Sequence, residues 1–316
     1  MIECDKMSVL LVILCVFAVV MLVLYVMFYI IFQRNRNTMK DERVVPKGKQ
    51  YEPYAESILR GVDRVLPERY ESVSVMSEDG LKLFGKYYHT ADGAPLAIFF
   101  HGYRCGSIRD GNGGFVLSKN RGYNVLLVDQ RAHGRSEGMV MTFGIKERLD
   151  CLQWIRYANE RFGAETPIIL MGISMGASTV LMAAGEELPP NVRCVVADCP
   201  FSSPKEIIQT VMRSLKLPVK LMYPLAKLSA KIYGGFDLEE ISATEAVKKS
   251  KVPILFIHGD DDRFVPCHMG QACYDSCASD KQILLVKGAG HGLSHCVDAK
   301  SYADTVNTFL DKVFCV

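Results

Sequence analysis

From Met7 to Gln33 no charged position interrupts the chain, and nearly every residue is apolar (LLVILCVFAVVMLVLYVMFYIIF). A helix of that length crosses the roughly 30 Å hydrocarbon layer of a bilayer. A cleaved signal peptide has a shorter apolar core, about 7–15 residues, that ends in small residues. Here the run closes on Tyr-Ile-Ile-Phe with no Ala-x-Ala-like site nearby. The pattern predicts an uncleaved transmembrane anchor over residues 1–33. The polar stretch QRNRNTMKDERVVPKGK then reads as a basic, solvated linker over residues 34–50 that can touch anionic headgroups.

Beyond residue 50 the period changes. ESVSVMSEDGLKLFGKYYH predicts two strands joined by a turn at Asp79-Gly80. Short apolar runs rich in β-branched residues follow: LAIFFH (96–101), YNVLLVD (123–129), PIILMG (167–172), RCVVAD (193–198), PILFIHG (253–259) and QILLVKG (282–288). Runs without polar alternation fit strands covered on both faces. Between them, IKERLDCLQWIRYANERFG (145–163) sets Leu149, Leu152, Ile155 and Tyr157 mostly on one side of a helix, and DAKSYADTVNTFLDKVF predicts a closing helix. Strand and helix in alternation imply an α/β fold with a doubly wound, mostly parallel sheet, whose ligands gather at the carboxyl ends of the strands. One interval breaks the rhythm. A helical insertion at about 201–250, rich in Leu, Met and Tyr, is expected to fold over the strand ends as a short lid, the alternative being an ordinary pair of surface helices. Residues 51–316 are long enough for one large domain around a single core.

Charge narrows the setting. Lys and Arg total 37 against 35 Asp and Glu, a net charge of +2, and no basic cluster outside the juxtamembrane segment points to nucleic acid. Glu3, Asp5 and Lys6 precede the apolar run, whereas Arg34, Arg36, Lys40, Arg43, Lys47 and Lys49 follow it. Basic flanks stay on the cytoplasmic side, so the expectation is a single-pass membrane protein with its large C-terminal part in the cytoplasm. Labelling of Cys267 or Cys296 from outside intact cells would overturn that orientation. The 11 cysteines are odd in number and irregular in spacing, which fits a reduced set, and several, such as Cys194, read as small buried apolar residues. No His/Cys cluster has metal-ligand spacing and no glycine loop suits a phosphate, so neither a metal nor a cofactor is expected.

The chemistry centres on Gly172-Ile173-Ser174-Met175-Gly176, which follows the run PIILMG and opens the predicted helix GASTVLMAAGEE. A sharp strand-to-helix turn forces the serine into strained backbone geometry and requires neighbours without a Cβ. It projects the hydroxyl at the strand end and aims the Met175 N–H at a developing oxyanion. A serine hydroxyl needs a base. Of seven histidines, His291 in Gly288-Ala289-Gly290-His291-Gly292 lies in a glycine-flanked loop just after the last strand, with His295 as the second candidate. His101 and His258 each end a strand and are expected to hold loops. A carboxylate should orient the imidazole. Asp260, Asp261 and Asp262 follow one strand and Asp198 another, and spacing does not choose among them. In His101-Gly102-Tyr103-Arg104, the glycine lets the chain turn so that the Tyr103 N–H supplies a second oxyanion donor.

FFHGYRCG, DQRAHGRSEG, GISMGAS, DCPFS, FIHGDDDRFVP and GAGHG, in this order from Glu71 to Phe314, resemble the α/β-hydrolases of the serine-aminopeptidase-like and lysophospholipase/monoacylglycerol-lipase-like group, most of all bacterial YqkD-type hydrolases. The resemblance implies the α/β-hydrolase fold and a triad of Ser174, Asp262 and His291, since in that family the acid is the aspartate of HGxxDxxVP. It also implies a structural role for Asp129–Ser136. The HG-Tyr loop departs from the HGGG type of hormone-sensitive-lipase-like esterases. The expected activity is hydrolysis of a small acyl ester, or an amide, through an acyl-enzyme. A serine peptidase on small peptides, an acyltransferase and a non-catalytic hydrolase-like binding module are the rivals. Removal of residues 1–45 is expected to leave a soluble, active domain.

Overall fold

The apolar runs become the strands of one eight-stranded sheet. The computed structural model describes residues 2–34 and 42–315. Its strands are β1 (Glu71–Met76), β2 (Lys82–Tyr88), β3 (Leu96–Phe100), β4 (Asn124–Asp129), β5 (Ile168–Ile173), β6 (Val192–Asp198), β7 (Ile254–Gly259) and β8 (Lys281–Val286). Their spatial order is β1-β2-β4-β3-β5-β6-β7-β8. β2 pairs antiparallel with β1 and β4, and every other pairing is parallel. Every residue of β3 and β4 is buried, as continuous apolar runs require when helices cover both faces.

The chain opens with helix α1 (Ile2–Phe32). On one face of the sheet α2 (Ala55–Val65), α3 (Ser107–Asn120) and the closing helix α11 (Ala299–Phe314), preceded by the short α10 (Ser294–Val297), pack around Phe99, Leu127 and Ile169. On the other, α4 (Glu147–Phe162), α5 (Met175–Ala183) and α9 (Cys267–Ser276) pack around Phe100, Leu170 and Phe256. The 201–250 insertion is helical, comprising α6 (Pro204–Ser214), α7 (Val219–Ser229), a π-helical turn (Ala230–Gly234) and α8 (Ala243–Val247). It lies against α1, with Phe28 on Tyr233 and Phe32 on Phe236 at ring separations of 5.7 and 5.4 Å.

Helix α1 contains one stretch, Met7–Phe32, long and apolar enough to cross a membrane. Residues 7–20 are exposed on every side, but Leu24, Met27, Phe28 and Phe32 are buried, the i, i+3, i+4 stripe of a helix facing a neighbour. Past Phe32, Gln33 and Arg34 stay on the domain. Gln33 bridges to Val140, the Met141 N–H donates to the Phe32 carbonyl at 2.8 Å, and the Arg34 N–H to that of Met139 at 2.8 Å. Arg36 and Lys40 of the basic flank lie outside the described residues. Glu42 accepts from the Arg109 N–H at 3.0 Å and the Val44 carbonyl from the Arg109 side chain at 3.1 Å.

Candidate active site

Ser174 stands between β5 and α5 with φ 54° and ψ −118°, a conformation an L-residue keeps only where its surroundings over-determine it. They do. A Cβ on Gly172 would lie 2.4 Å from the backbone of Gly176, and one on Gly176 would lie 2.0 Å from the Phe100 carbonyl. The Ser174 N–H donates to the Asp198 carbonyl at 2.8 Å. The turn is therefore wedged between β3 and β6, and the hydroxyl faces the cavity at the strand ends.

The structure brings the sequence-predicted partners together. The Ser174 Oγ lies 2.9 Å from His291 Nε2, and His291 Nδ1 lies 2.7 Å from Asp262 Oδ2. The second oxygen, Asp262 Oδ1, accepts the N–H groups of Phe264 and Val265 at 2.9 and 2.8 Å. Burial alone would raise this carboxyl, but the charges and hydrogen bonds of His291 and His258 override it and hold it well below the ordinary carboxylate range. Asp198, the other candidate from spacing, is not the partner of His291. Burial pushes it up to about 6, opposed in part by His258 and a hydrogen bond from Tyr302. His295 stands apart against Tyr302, with ring centroids 5.3 Å apart. His101 holds its loop through Gln130 and Gly102, and His258 through the Val265 carbonyl. Hydroxyl, imidazole and carboxylate in this chain can take a proton from Ser174 and stabilise the imidazolium that results.

The two expected oxyanion donors lie next to residues at this turn, Met175 following Ser174 and Tyr103 following Gly102. Met175 is the first residue of α5, and the loop at Gly102 approaches so closely that a Cβ there would lie 3.4 Å from that of Ser174. Among the described residues neither the Tyr103 nor the Met175 N–H donates to a protein acceptor, so both remain available to an oxyanion. The Gly102 N–H donates to Asp110 Oδ2 at 2.8 Å, which ties the loop to α3.

A cavity of about 330 Å³ opens at Ser174 and His291. It runs along Phe99, Met171 and Val196 of the sheet, between Gly113 and Gly114 of α3 and Tyr302 of α11. Its cover comes from Pro46, Lys47, Gln50, Tyr51 and Ile58, and none of its walls from residues 201–250. Gln50 reaches the His291 N–H at 3.4 Å. Pro46, Lys47, Gln50 and Tyr51 were not legible as cover in the sequence, because a polar segment without periodicity carries no local signal of where it docks. Cys199 was missed as well. It sits at φ 45° with its thiol within 4.8 Å of a carboxylate oxygen of Asp262 and a ring nitrogen of His291, and burial, then Asp198, pushes that thiol far up, leaving it neutral.

Comparison with known proteins agrees with this architecture. A family model described as the alpha/beta hydrolase fold matches residues 115–227. The uncharacterized protein YqkD of Bacillus subtilis is 30% identical over 193 residues, which cover 61% of this chain and 63% of that protein. The lysophosphatidylserine lipase ABHD12 of Danio rerio is 27% identical over 207 residues, covering 60% of this chain and 49% of the lipase. The matched regions thus span less than two thirds of either relative's length. Among solved structures, the Pyrococcus furiosus esterase Pf2001 superposes with a TM-score of 0.65 at 25% identity, covering 79% of this chain and 93% of the esterase. With the strand order, the serine turn and these similarities on one chain, the protein belongs to the α/β-hydrolase superfamily.

Proposed function

We propose that this α/β hydrolase is a membrane-anchored serine hydrolase that cleaves carboxylic esters through an acyl-enzyme on Ser174. The observation that carries the reading is the unbroken chain from Ser174 Oγ through His291 to Asp262, at 2.9 and 2.7 Å, at the floor of an open cavity. Ser174 attacks the ester carbonyl while His291 takes its proton, and Asp262 stabilises the imidazolium. The N–H groups of Met175 and Tyr103 hold the tetrahedral oxyanion. His291 then returns the proton to the leaving alcohol. Water, activated by the same imidazole, releases the acid. The apolar run Phe99, Met171 and Val196 suits an acyl chain, and an ester substrate is in keeping with the lipase and the esterase to which the chain is similar. Helix α1 is the anchor, with the catalytic domain on the cytoplasmic side.

The test is hydrolysis of p-nitrophenyl esters from acetate to palmitate by the full chain in detergent, beside Ser174→Ala. Turnover is expected for the wild type and loss of about 10⁶-fold in kcat for the variant. A variant as active as the wild type, or a wild type inactive on every ester and unlabelled by a fluorophosphonate at Ser174, would remove the proposal.

A further inference from the structure

The loop that carries the Tyr103 N–H is bonded to the end of the transmembrane helix. Tyr103 Oη donates to the Ile31 carbonyl at 2.6 Å. Arg104 Nη2 donates to the carbonyls of Ile30 at 2.7 Å and Gln33 at 3.2 Å. The carbonyls in the last turn of a helix have no partner within it, and the helix dipole makes that end attractive to a cation. The bonds to Ile31 and Gln33 are part-buried, where an unpaired carbonyl is costly, so they are not easily exchanged for solvent.

The same loop is gripped from the other side. Arg104 holds a positive φ of 54°, its N–H donates to His133 Nε2 at 3.0 Å, and its guanidinium lies 4.9 Å from the centre of the Tyr103 ring. That ring stacks on Phe143 at 5.1 Å, and Phe143 meets Phe32 of α1 at 5.8 Å. Arg34, two residues past Phe32, donates to the carbonyls of Gly134 and Ser136 in the segment that also carries His133. The helix end, the His101–Arg104 loop and the Asp129–Ser136 loop thus form one joint, and a strained backbone at Arg104 needs all of it to persist.

We infer that the last turn of α1 sets the position of the second oxyanion donor, with the Tyr103 hydroxyl and the Arg104 guanidinium as positioning residues that act through the Tyr103 N–H. This rests on the oxyanion role proposed above for that N–H. The anchor is then part of the catalytic frame as well as a tether, and an α1 displaced from the domain would release the donor loop.

The experiment uses the full chain in detergent micelles with p-nitrophenyl acetate, a substrate too short to need the acyl cavity. Tyr103→Phe and Arg104→Met keep the backbone N–H and remove the bonds to α1. Rates are referred to active sites titrated with a fluorophosphonate, so that misfolded molecules do not count. The expected result is a fall in kcat of about 10-fold or more for each variant with KM within about 2-fold, because a donor moved by a fraction of an ångström fails the transition state before it fails the substrate. The rate of phosphonylation of Ser174 should fall in parallel, and Arg104→Lys, which keeps a cation at the helix end, should recover part of kcat. A purely structural role would lower the melting temperature and the titrated fraction while leaving kcat per site at the wild-type value, and that result overturns the inference with the triad intact. A wild type that Ser174→Ala does not inactivate overturns the underlying catalytic reading instead, and the inference with it.

Discussion

Asp262 and Asp198 are both buried beside the same imidazole, and their surroundings drive them apart. Asp262 exchanges water for two backbone N–H groups and His291. Its pKa is lowered, so the stability it contributes is present above the unfolded value of about 3.9 and is lost only as pH falls below that. Asp198 has its nearest side-chain donors in Tyr302 and, at 3.5 Å, Ser294 Oγ. With its carboxyl pushed up to about 6, the native state pays for an ionised Asp198 at every pH above that, and the penalty disappears below about 4. Asp262→Asn should therefore cut kcat by about 10³-fold or more, since the imidazole loses its orienting anion. Asp198→Asn should leave kcat within about 10-fold and raise stability in urea by about 1–3 kcal/mol at pH 8, with no gain at pH 4. If Asp198→Asn were the more damaging to turnover, the acid of the triad would be misassigned. Sequence spacing left this choice open because Asp198 ends β6 and Asp262 follows the end of β7, both beside the site. What separates them is which carboxylate meets backbone donors, a property of loop geometry.

At the scale of elements, α3 is the unusual one. A helix reading SIRDGNGGFVLSKN carries three glycines, each costing about 1 kcal/mol relative to alanine. Two of them are explained by packing: a Cβ on Gly111 or Gly114 would press within 3.0–3.1 Å of Leu127 or Phe99. Gly113 instead faces the cavity, where a Cβ would stand 3.4 Å from His295 with room for little more. Gly113→Leu should therefore block the acyl cavity, leaving turnover of acetate within about 3-fold and lowering that of octanoate and longer esters by 10-fold or more, an effect of the size expected when an apolar pocket excludes a few methylenes. A chain-length profile unchanged from the wild type would mean that the acyl chain lies elsewhere. The strands, α4 and α11 were legible in the sequence because periodicity is a local property, and β3 to β8 follow the apolar runs to within a residue or two. The cover of the site was not. The insertion's Leu, Met and Tyr content suggested a lid, yet Tyr223, Tyr233 and the neighbouring Phe236 pack toward the domain core and α1. The polar segment that does wall the cavity is held by contacts 67 and 241 residues distant in sequence, Glu42 with Arg109 and Gln50 with His291.

At the scale of the molecule, the candidate membrane span and the domain overlap in space. Met7–Phe32 spans 26 residues, about 39 Å at 1.5 Å per residue. The part free of the domain, residues 7–20, is about 21 Å long, short of the roughly 30 Å a bilayer core demands. Tyr233 already bonds to the Met21 carbonyl at 2.9 Å. A helix that spans the bilayer must therefore bring α7 and the π-helical turn to the membrane boundary, where the exposed Leu221, Leu228 and Ile232 have somewhere to go. This bears on the expectation that residues 1–45 are a dispensable anchor. Their removal would uncover Phe143 and Phe236 and strip the partners of Tyr103, Arg104 and Arg109. The truncation should give a chain that aggregates or, in detergent, turns over p-nitrophenyl acetate with kcat per titrated site at least about 10-fold below the full chain. Removal of residues 1–20, which leaves every one of those contacts in place, should keep kcat within about 2-fold in the same detergent. A soluble 46–316 fragment with full activity would show that the sequence reading of a separable anchor was right and that the docked turn of α1 is packing alone.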